Sequence, residues 1–170
     1  MRRLLFKLSL ASVMAASIAT ALLWAVVQGP LRDPQAALDD FYAGRDRAED
    51  QLIDPLVLNG RRVVPLVMSA VTDRNMPNRR YAIGFLGSGR YREAVPVLER
   101  ILADDAEIHY FRADALEALS QIDAPRARQL AAAHRSRADY LGESARAVVA
   151  GARGLGVDRS FLQALLHAHD

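Results

Sequence analysis

The chain has 170 residues, of which 51% are hydrophobic and 6% aromatic, and it carries a formal net charge of +2 at neutral pH. Alanine and leucine are abundant and alternating β-branched runs are rare, so the composition predicts helices and no strand needs to be invoked. There is no cysteine, which excludes a disulfide, a thiol nucleophile and a thiolate metal site.

The excess of basic residues lies at the N-terminus. Arg2, Arg3 and Lys7 precede the first long apolar stretch, and all 20 acidic residues follow it. Without those three residues the basic and acidic residues nearly balance, so the pI near 9.3 indicates a membrane-topology signal. We therefore expect no nucleic-acid partner.

The first predicted element is a membrane-spanning helix over residues 8–27, which contain no charged residue. A helix of this length spans about 30 Å, the thickness of the hydrocarbon core. The preceding positive charges place the N-terminus in the cytoplasm, so residues 1–29 are predicted to be a basic tip and a signal anchor in the inner membrane. The alternative is a signal peptide cleaved after Ala21, which would release the rest into the periplasm. The length of the apolar run favours the anchor.

The remaining residues are predicted to form helices joined by short turns. Residues 30–44 form a linker and a first short helix, because Asp33-Pro34 supplies an N-cap acceptor and a proline in the first turn. Residues 45–157 form one helical domain, and residues 158–170 a C-terminal capping helix. The helical segments, each ended by Gly or by an Asp, Asn or Pro group, are 45–59, 61–73, 77–87, 91–103, 107–122, 124–138, 140–150 and 158–168. Amphipathic helices this short are marginal alone and must pack on neighbours.

Two matches at nearly one spacing indicate an internal repeat. The segment 79–87 matches 112–120, and the segment 64–67 matches 95–98 at almost the same offset. The second match places a proline in the first turn of each helix. A fixed period of roughly 30 residues is typical of stacked helical units.

The stretch 78–105 resembles a HEAT-like repeat of the short bacterial type. Its first helix is led by Arg79 and ends in Leu86-Gly87, and its second begins at Ala94-Val95-Pro96. The resemblance implies an all-α protein, a short right-handed α-solenoid of helix pairs that mostly serves to hold other macromolecules. It carries over no catalytic residue, and the chain departs from the pattern at Ser120, where a glycine is expected.

Four charged residues are predicted to set the stacking of the repeats. Asp73 and Asp105 precede a first helix, and Arg79 and Arg112 follow within one or two turns. Each arginine is expected to reach one of these carboxylates or the next repeat, which gives a ladder of charged pairs. The alternative is that all four side chains are solvated.

Four tyrosines are predicted to bind a protein partner. Tyr81, Tyr91, Tyr110 and Tyr140 recur near the turns between helices, and tyrosine combines apolar area with a hydrogen-bonding tip. The alternative is ordinary packing at the edge of the core.

No motif predicts a reaction. His167 and His169 lie close together at a chain end, His109 has no accompanying nucleophile, and Gly87-Ser88-Gly89 lacks the strand and lysine of a phosphate loop. We therefore expect no catalytic residue, no cofactor, no metal and no small-molecule substrate. The favoured interpretation is a non-catalytic, membrane-anchored adaptor that binds a protein partner on the periplasmic side. The alternative is an exported hydrolase or lyase on a HEAT-like scaffold.

Overall fold

A computed structural model describes residues 33–44 and 47–152. Every regular element within these ranges is helical, which confirms the all-α prediction. The α-helices are α1 (Pro34–Ala43), α2 (Asp54–Asn59), α3 (Val64–Ala70), α4 (Arg79–Ser88), α5 (Val95–Ala103), α6 (His109–Ile122), α7 (Ala124–Ala131) and α8 (Tyr140–Val149). Single 3-10 turns lie at Glu49–Gln51, Gly60–Arg62 and Arg92–Ala94.

Two predicted elements lie outside the described residues. These are the membrane anchor over residues 8–27 and the capping helix over residues 158–170. None of the helices between residues 33 and 152 that the structure describes has the length and apolar character needed to cross a membrane.

Proline and aspartate set where most helices begin. Prolines occupy the first or second helical position of α1, α2, α3, α5 and α7, where the missing N–H costs no hydrogen bond. The side chains of Asp33, Asp123 and Asp139 accept hydrogen bonds from the exposed backbone N–H groups of α1, α7 and α8. The helix boundaries therefore follow from local sequence.

Several predicted segments form shorter helices than expected, most clearly 45–59 and 124–138. In the segment 45–59 the α-helix begins only at Asp54, because Pro55 fits the first turn of a helix but not its interior. In the segment 124–138, α7 ends at Ala131 and the chain continues in tight turns. Arg146 from α8 donates hydrogen bonds to two backbone carbonyls of those turns.

Helix α6 packs against two helices that precede it and two that follow it in the chain. It packs against α4, α5, α7 and α8, while α1 packs on α2 and α3 and α3 packs on α4. The largest fully buried side chains come from most of these helices and include Phe41, Leu56, Phe85, Leu86, Leu98, Leu116, Leu119 and Leu141. They belong to one continuous hydrophobic core.

The segments 64–67 and 95–98 have similar burial. Both prolines are exposed, while Val67 and Leu98 are fully buried. The first residues differ slightly, because Val64 is buried and Val95 is half-buried. The third residues also differ, because Leu66 is half-buried and Val97 is buried, so the match in burial holds at the second and fourth positions.

Helices α4 and α6 approach each other closely at a glycine. A Cβ atom added to Gly87 would lie 2.5 Å from Cα of Ala118, a distance that no side chain tolerates without movement of the backbone. Gly87 is therefore required by packing and not by a phosphate ligand. Its counterpart in α6 is the half-buried Ser120, whose hydroxyl donates to the carbonyl of Glu117.

Candidate functional site

Arg79 and Arg112 make the same backbone contact in successive helix pairs. The Nε atom of Arg79 donates to the carbonyl of Val71 at 2.8 Å, and that of Arg112 to the carbonyl of Leu102 at 2.9 Å. These carbonyls lie at the C-terminal ends of α3 and α5, where no intrahelical donor is available. Each buried arginine therefore caps the helix before it.

The carboxylate partners of the two arginines differ. Arg112 pairs with Asp105 at 2.9 Å, whereas Arg79 pairs at 2.7 Å with Glu107. Asp73 instead accepts a hydrogen bond from the backbone N–H of Asn75. The structure thus brings together Asp105 with Arg112, and places Arg79 against the turn that precedes α6. Glu107 is not among the stacking residues predicted from the sequence, because its approach to Arg79 depends on the packing of α6 on α4.

Burial makes the two ion pairs unequal. The side chains of Arg79 and Glu107 are only 2% and 3% exposed, whereas that of Asp105 is 91% exposed. Solvent screens the exposed carboxylate, and a buried pair cannot lose one partner without leaving a desolvated charge. The Arg79–Glu107 pair therefore constrains the structure more strongly.

Surface arginines join neighbouring helix pairs. Arg61 pairs with Glu93 at 3.0 Å and Arg126 with Glu99 at 2.7 Å. Arg74, in the turn after α3, pairs with Asp104 in the turn after α5. Exposed pairs of this kind contribute about 0–1 kcal/mol each. Their main effect is therefore on how neighbouring helix pairs are aligned, and their effect on the stability of the fold is small.

Two of the four tyrosines predicted to bind a partner have local packing roles. The ring of Tyr91 is half-buried, with its centroid 5.2 Å from that of Phe85 and the Arg61 guanidinium 5.9 Å away. The hydroxyl of Tyr81 donates to Glu49 at 2.6 Å. This hydrogen bond, followed by partial burial, raises the pKa of Tyr81.

The other two tyrosines lie side by side. The ring centroids of Tyr110 and Tyr140 are 4.9 Å apart, and His109 packs on Tyr110 at 4.3 Å. Tyr110 is 51% exposed and Ile108 beside it is 56% exposed. The N-terminal ends of α6 and α8 therefore present an aromatic surface formed by Tyr110 and Tyr140, which we call the tyrosine pair.

A charged cluster with buried carboxylates and a half-exposed arginine lies next to the tyrosine pair. Arg80 of α4 donates from Nε to Oδ1 of Asp114 at 3.2 Å and from Nη2 to the hydroxyl of Tyr140 at 3.1 Å. Asp114 is on α6, so a single guanidinium links three helices. Ser144 of α8 donates to Glu117 at 2.6 Å in the same region.

Asp114 is unusual among the described carboxylates. Its side chain is only 3% exposed, and no hydrogen-bond donor in the described part of the chain reaches its Oδ2 atom. Burial raises the pKa of Asp114 to about 6, with opposition from Arg80 and a further increase from the charge of Glu117. Such a group is able to exchange a proton near neutral pH.

Part of this cluster is visible in the spacing of polar residues along two helices. Tyr110, Asp114 and Glu117 follow one another at helical spacing, which places them on one face of α6. Tyr140 and Ser144 have such a spacing on α8. The polar faces of α6 and α8 form a cluster because they lie opposite each other. This arrangement is visible only in the tertiary packing.

No group of three or more His, Asp or Glu side chains suited to a metal ion occurs among residues 33–44 and 47–152. His109 has a buried Nδ1 atom without a hydrogen-bond partner in this part of the chain. His167 and His169 lie outside the described residues.

Comparison with known proteins gives no match to a family model, to a curated protein or to a solved structure.

Proposed function

We propose that the chain is a non-catalytic adaptor, held in the inner membrane by residues 8–27, that binds a protein partner on the periplasmic side. Its helix pairs form a short right-handed HEAT-like solenoid in this proposal. The equivalent contacts of Arg79 and Arg112 support the repeat, as does the packing of α4, α6 and α8 in succession.

The observation that carries the proposal is the exposure of the tyrosine pair. Tyr110 leaves half of its surface in solvent although its ring contacts both His109 and Tyr140. A ring that is already immobilised loses little entropy on binding, and exposed tyrosines are common in the energetic centres of protein interfaces. The pair is therefore a preformed contact for a partner.

The experiment is affinity capture of the full-length protein from native membranes, in three versions. These are the unchanged chain, Tyr110→Ser and Leu58→Ser, the control being an equally exposed apolar residue of α2. We expect one protein to be recovered with the unchanged chain and with Leu58→Ser, and about tenfold less of it with Tyr110→Ser. Equal recovery in all three would contradict the proposal.

The charged cluster around the buried Asp114 supports a second candidate function, a hydrolase or lyase. Asp114 has a pKa raised to about 6 and lies beside Arg80 and Tyr140, which is the type of environment that general acids and bases use. The test is hydrolysis of chromogenic ester, phosphate and glycoside substrates by the full-length protein. Turnover that is lost in Asp114→Asn would support the enzyme and contradict the adaptor.

A further inference from the structure

Charge is distributed unevenly along the helical domain. Residues 33–59 contain seven acidic residues and two arginines, and residues 124–152 contain two acidic residues and five arginines. The intervening residues 60–123 contain nine of each. We call residues 33–59 the acidic end and residues 124–152 the basic end.

Both ends have exposed charged side chains among the described residues. Asp33 and Asp39 are exposed at the acidic end, as are Arg128 and Arg135 at the basic end. Helix α1 packs on α2 and α3, whereas α7 and α8 pack on α6 and on each other. The two ends are thus separated by the neutral middle of the domain.

One titratable side chain at each end has a pKa shifted mainly by burial, and charges of opposite sign at the two ends add to the shift. The pKa of Tyr42 in α1 is raised, first by burial and then by the negative charges of Asp73 and Asp39. The pKa of His134 after α7 is lowered, first by burial and then by the positive charges of Arg112 and Arg137, with opposition from Asp105 and Asp139. The first environment disfavours a negative charge and the second a positive one.

Two arginines of the basic end, Arg128 and Arg135, lie outside the surface ion pairs that Arg126 and Arg137 make. Arg74, in the turn after α3, meets Asp104 in the corresponding turn after α5. Arg135 lies in the turn after α7. In the part of the chain that the structure describes, no carboxylate lies within ion-pair distance of Arg135 or Arg128. The basic end therefore presents arginines of the kind that pair with carboxylates elsewhere in the domain.

We propose that the basic end of one molecule docks on the acidic end of a second copy, so that the protein forms head-to-tail rows. The contact joins two different surfaces, so it propagates from copy to copy and does not form an isologous dimer. Complementary charge selects this pairing, because basic-to-basic and acidic-to-acidic contacts repel. Confinement of the copies to one membrane, which rests on the proposed anchor, raises their effective concentration.

The absence of native cysteine permits a direct test by disulfide cross-linking of the full-length protein in vesicles of neutral lipid. Ala43→Cys places a thiol one turn after Asp39, and Ala132→Cys one turn after Arg128, at exposed positions that carry no charge. We expect a mixture of the two variants to form cross-linked dimers under mild oxidation, and either variant alone to form about tenfold fewer.

A matched control uses Ala103→Cys, an exposed alanine at the end of α5, which should not cross-link with Ala43→Cys. Raising the ionic strength to about 0.5 M shortens the screening length to about 4 Å and should reduce the specific product. Equal yields from the mixture, from each single variant and from the control would overturn the proposal.

Charge-reversal variants distinguish a second copy of the chain from other possible partners of the basic end. Arg128→Glu with Arg135→Glu, introduced into the Ala132→Cys protein, should abolish the cross-link. Gln35→Lys with Asp39→Lys, introduced into the Ala43→Cys partner, should restore it. If the cross-link is insensitive to both changes, the pairing of the two ends is wrong. If Arg128 and Arg135 are needed for binding to anionic vesicles but not for the cross-link, the basic end binds lipid. That result would also overturn the proposal.

Discussion

Arg79 and Arg112 occupy equivalent positions in two successive helix pairs, and each caps the helix before it through Nε. The capped carbonyls belong to Val71 and Leu102, and the offset between these two residues is the same as that between the matched prolines of the sequence repeat. A structural bond is therefore repeated along with the sequence. Only the carboxylate that completes each contact differs.

The first prediction concerns the unequal burial of these two contacts. Arg79→Ala leaves Glu107 as a buried carboxylate without its guanidinium and should lower the free energy of unfolding by about 3–5 kcal/mol. Arg112→Ala leaves Asp105 in solvent and should cost about 1–3 kcal/mol, mainly from the uncapped carbonyl. Denaturation of the full-length protein in detergent, followed by circular dichroism, measures both. The exposed Arg62→Ala is the control, and equal losses for Arg79→Ala and Arg112→Ala would contradict the assignment.

The second prediction concerns the close approach of α4 and α6. Gly87→Ala places a methyl group 2.5 Å from Cα of Ala118, so the helices must separate, at a cost of about 1–3 kcal/mol. Thermal unfolding should show a lower midpoint for this variant. Ser69→Ala, at an exposed helical position, should leave the midpoint nearly unchanged. A midpoint unaltered by Gly87→Ala would mean that the helices are not in contact there.

The third prediction is a pH dependence that depends on Asp114. Its pKa is about 6 in the folded protein against an ordinary value of 3.8, so the folded state binds more protons than the unfolded state between these values. Stability should therefore fall as the pH rises from about 4 to about 6, by roughly 1–3 kcal/mol from this group. Free energies of unfolding at several pH values measure this effect.

Asp114→Asn removes the titration and supplies the comparison for that experiment. The variant should gain stability relative to the unchanged chain as the pH is raised across this interval. Asp105→Asn, which alters an exposed carboxylate, should show no comparable gain. A constant difference between Asp114→Asn and the unchanged chain would show that Asp114 titrates normally.

The fourth prediction concerns the N-terminal segment. The full-length protein should remain with membranes after an alkaline wash, and deletion of residues 1–27 should release it, because residues 8–27 supply the only uncharged stretch long enough to span. Mass spectrometry of the membrane-bound protein should find the N-terminus intact. A soluble product that begins at Leu22 would instead establish signal cleavage.

Much of the helical layout could be predicted from local sequence. Asp-Pro starts such as Asp33-Pro34, and amphipathic spacing within 107–122, depend only on residues close in the chain. The pairing of Arg79 with Glu107 could not be predicted in this way, because the acid lies in a turn of the next helix pair. Its position is fixed only when α6 packs on α4.

The same limit applies to the candidate site. The type and position of Tyr110 predict a contact residue, whereas its ring contact with Tyr140 depends on the packing of α8 against α6. Asp114 carries no sequence signal of burial, since a charged residue in an amphipathic helix ordinarily faces water. Arg80 and Tyr140, from two other helices, complete the cluster around it.

The most direct measurement of the adaptor proposal is photo-cross-linking in native membranes. A benzophenone side chain replaces Tyr110 in one full-length variant and Leu58 in another, both residues being half-exposed. The proposal predicts one discrete protein cross-linked at position 110 and none at position 58. Absence of any product at position 110, or the same products at both positions, would contradict it.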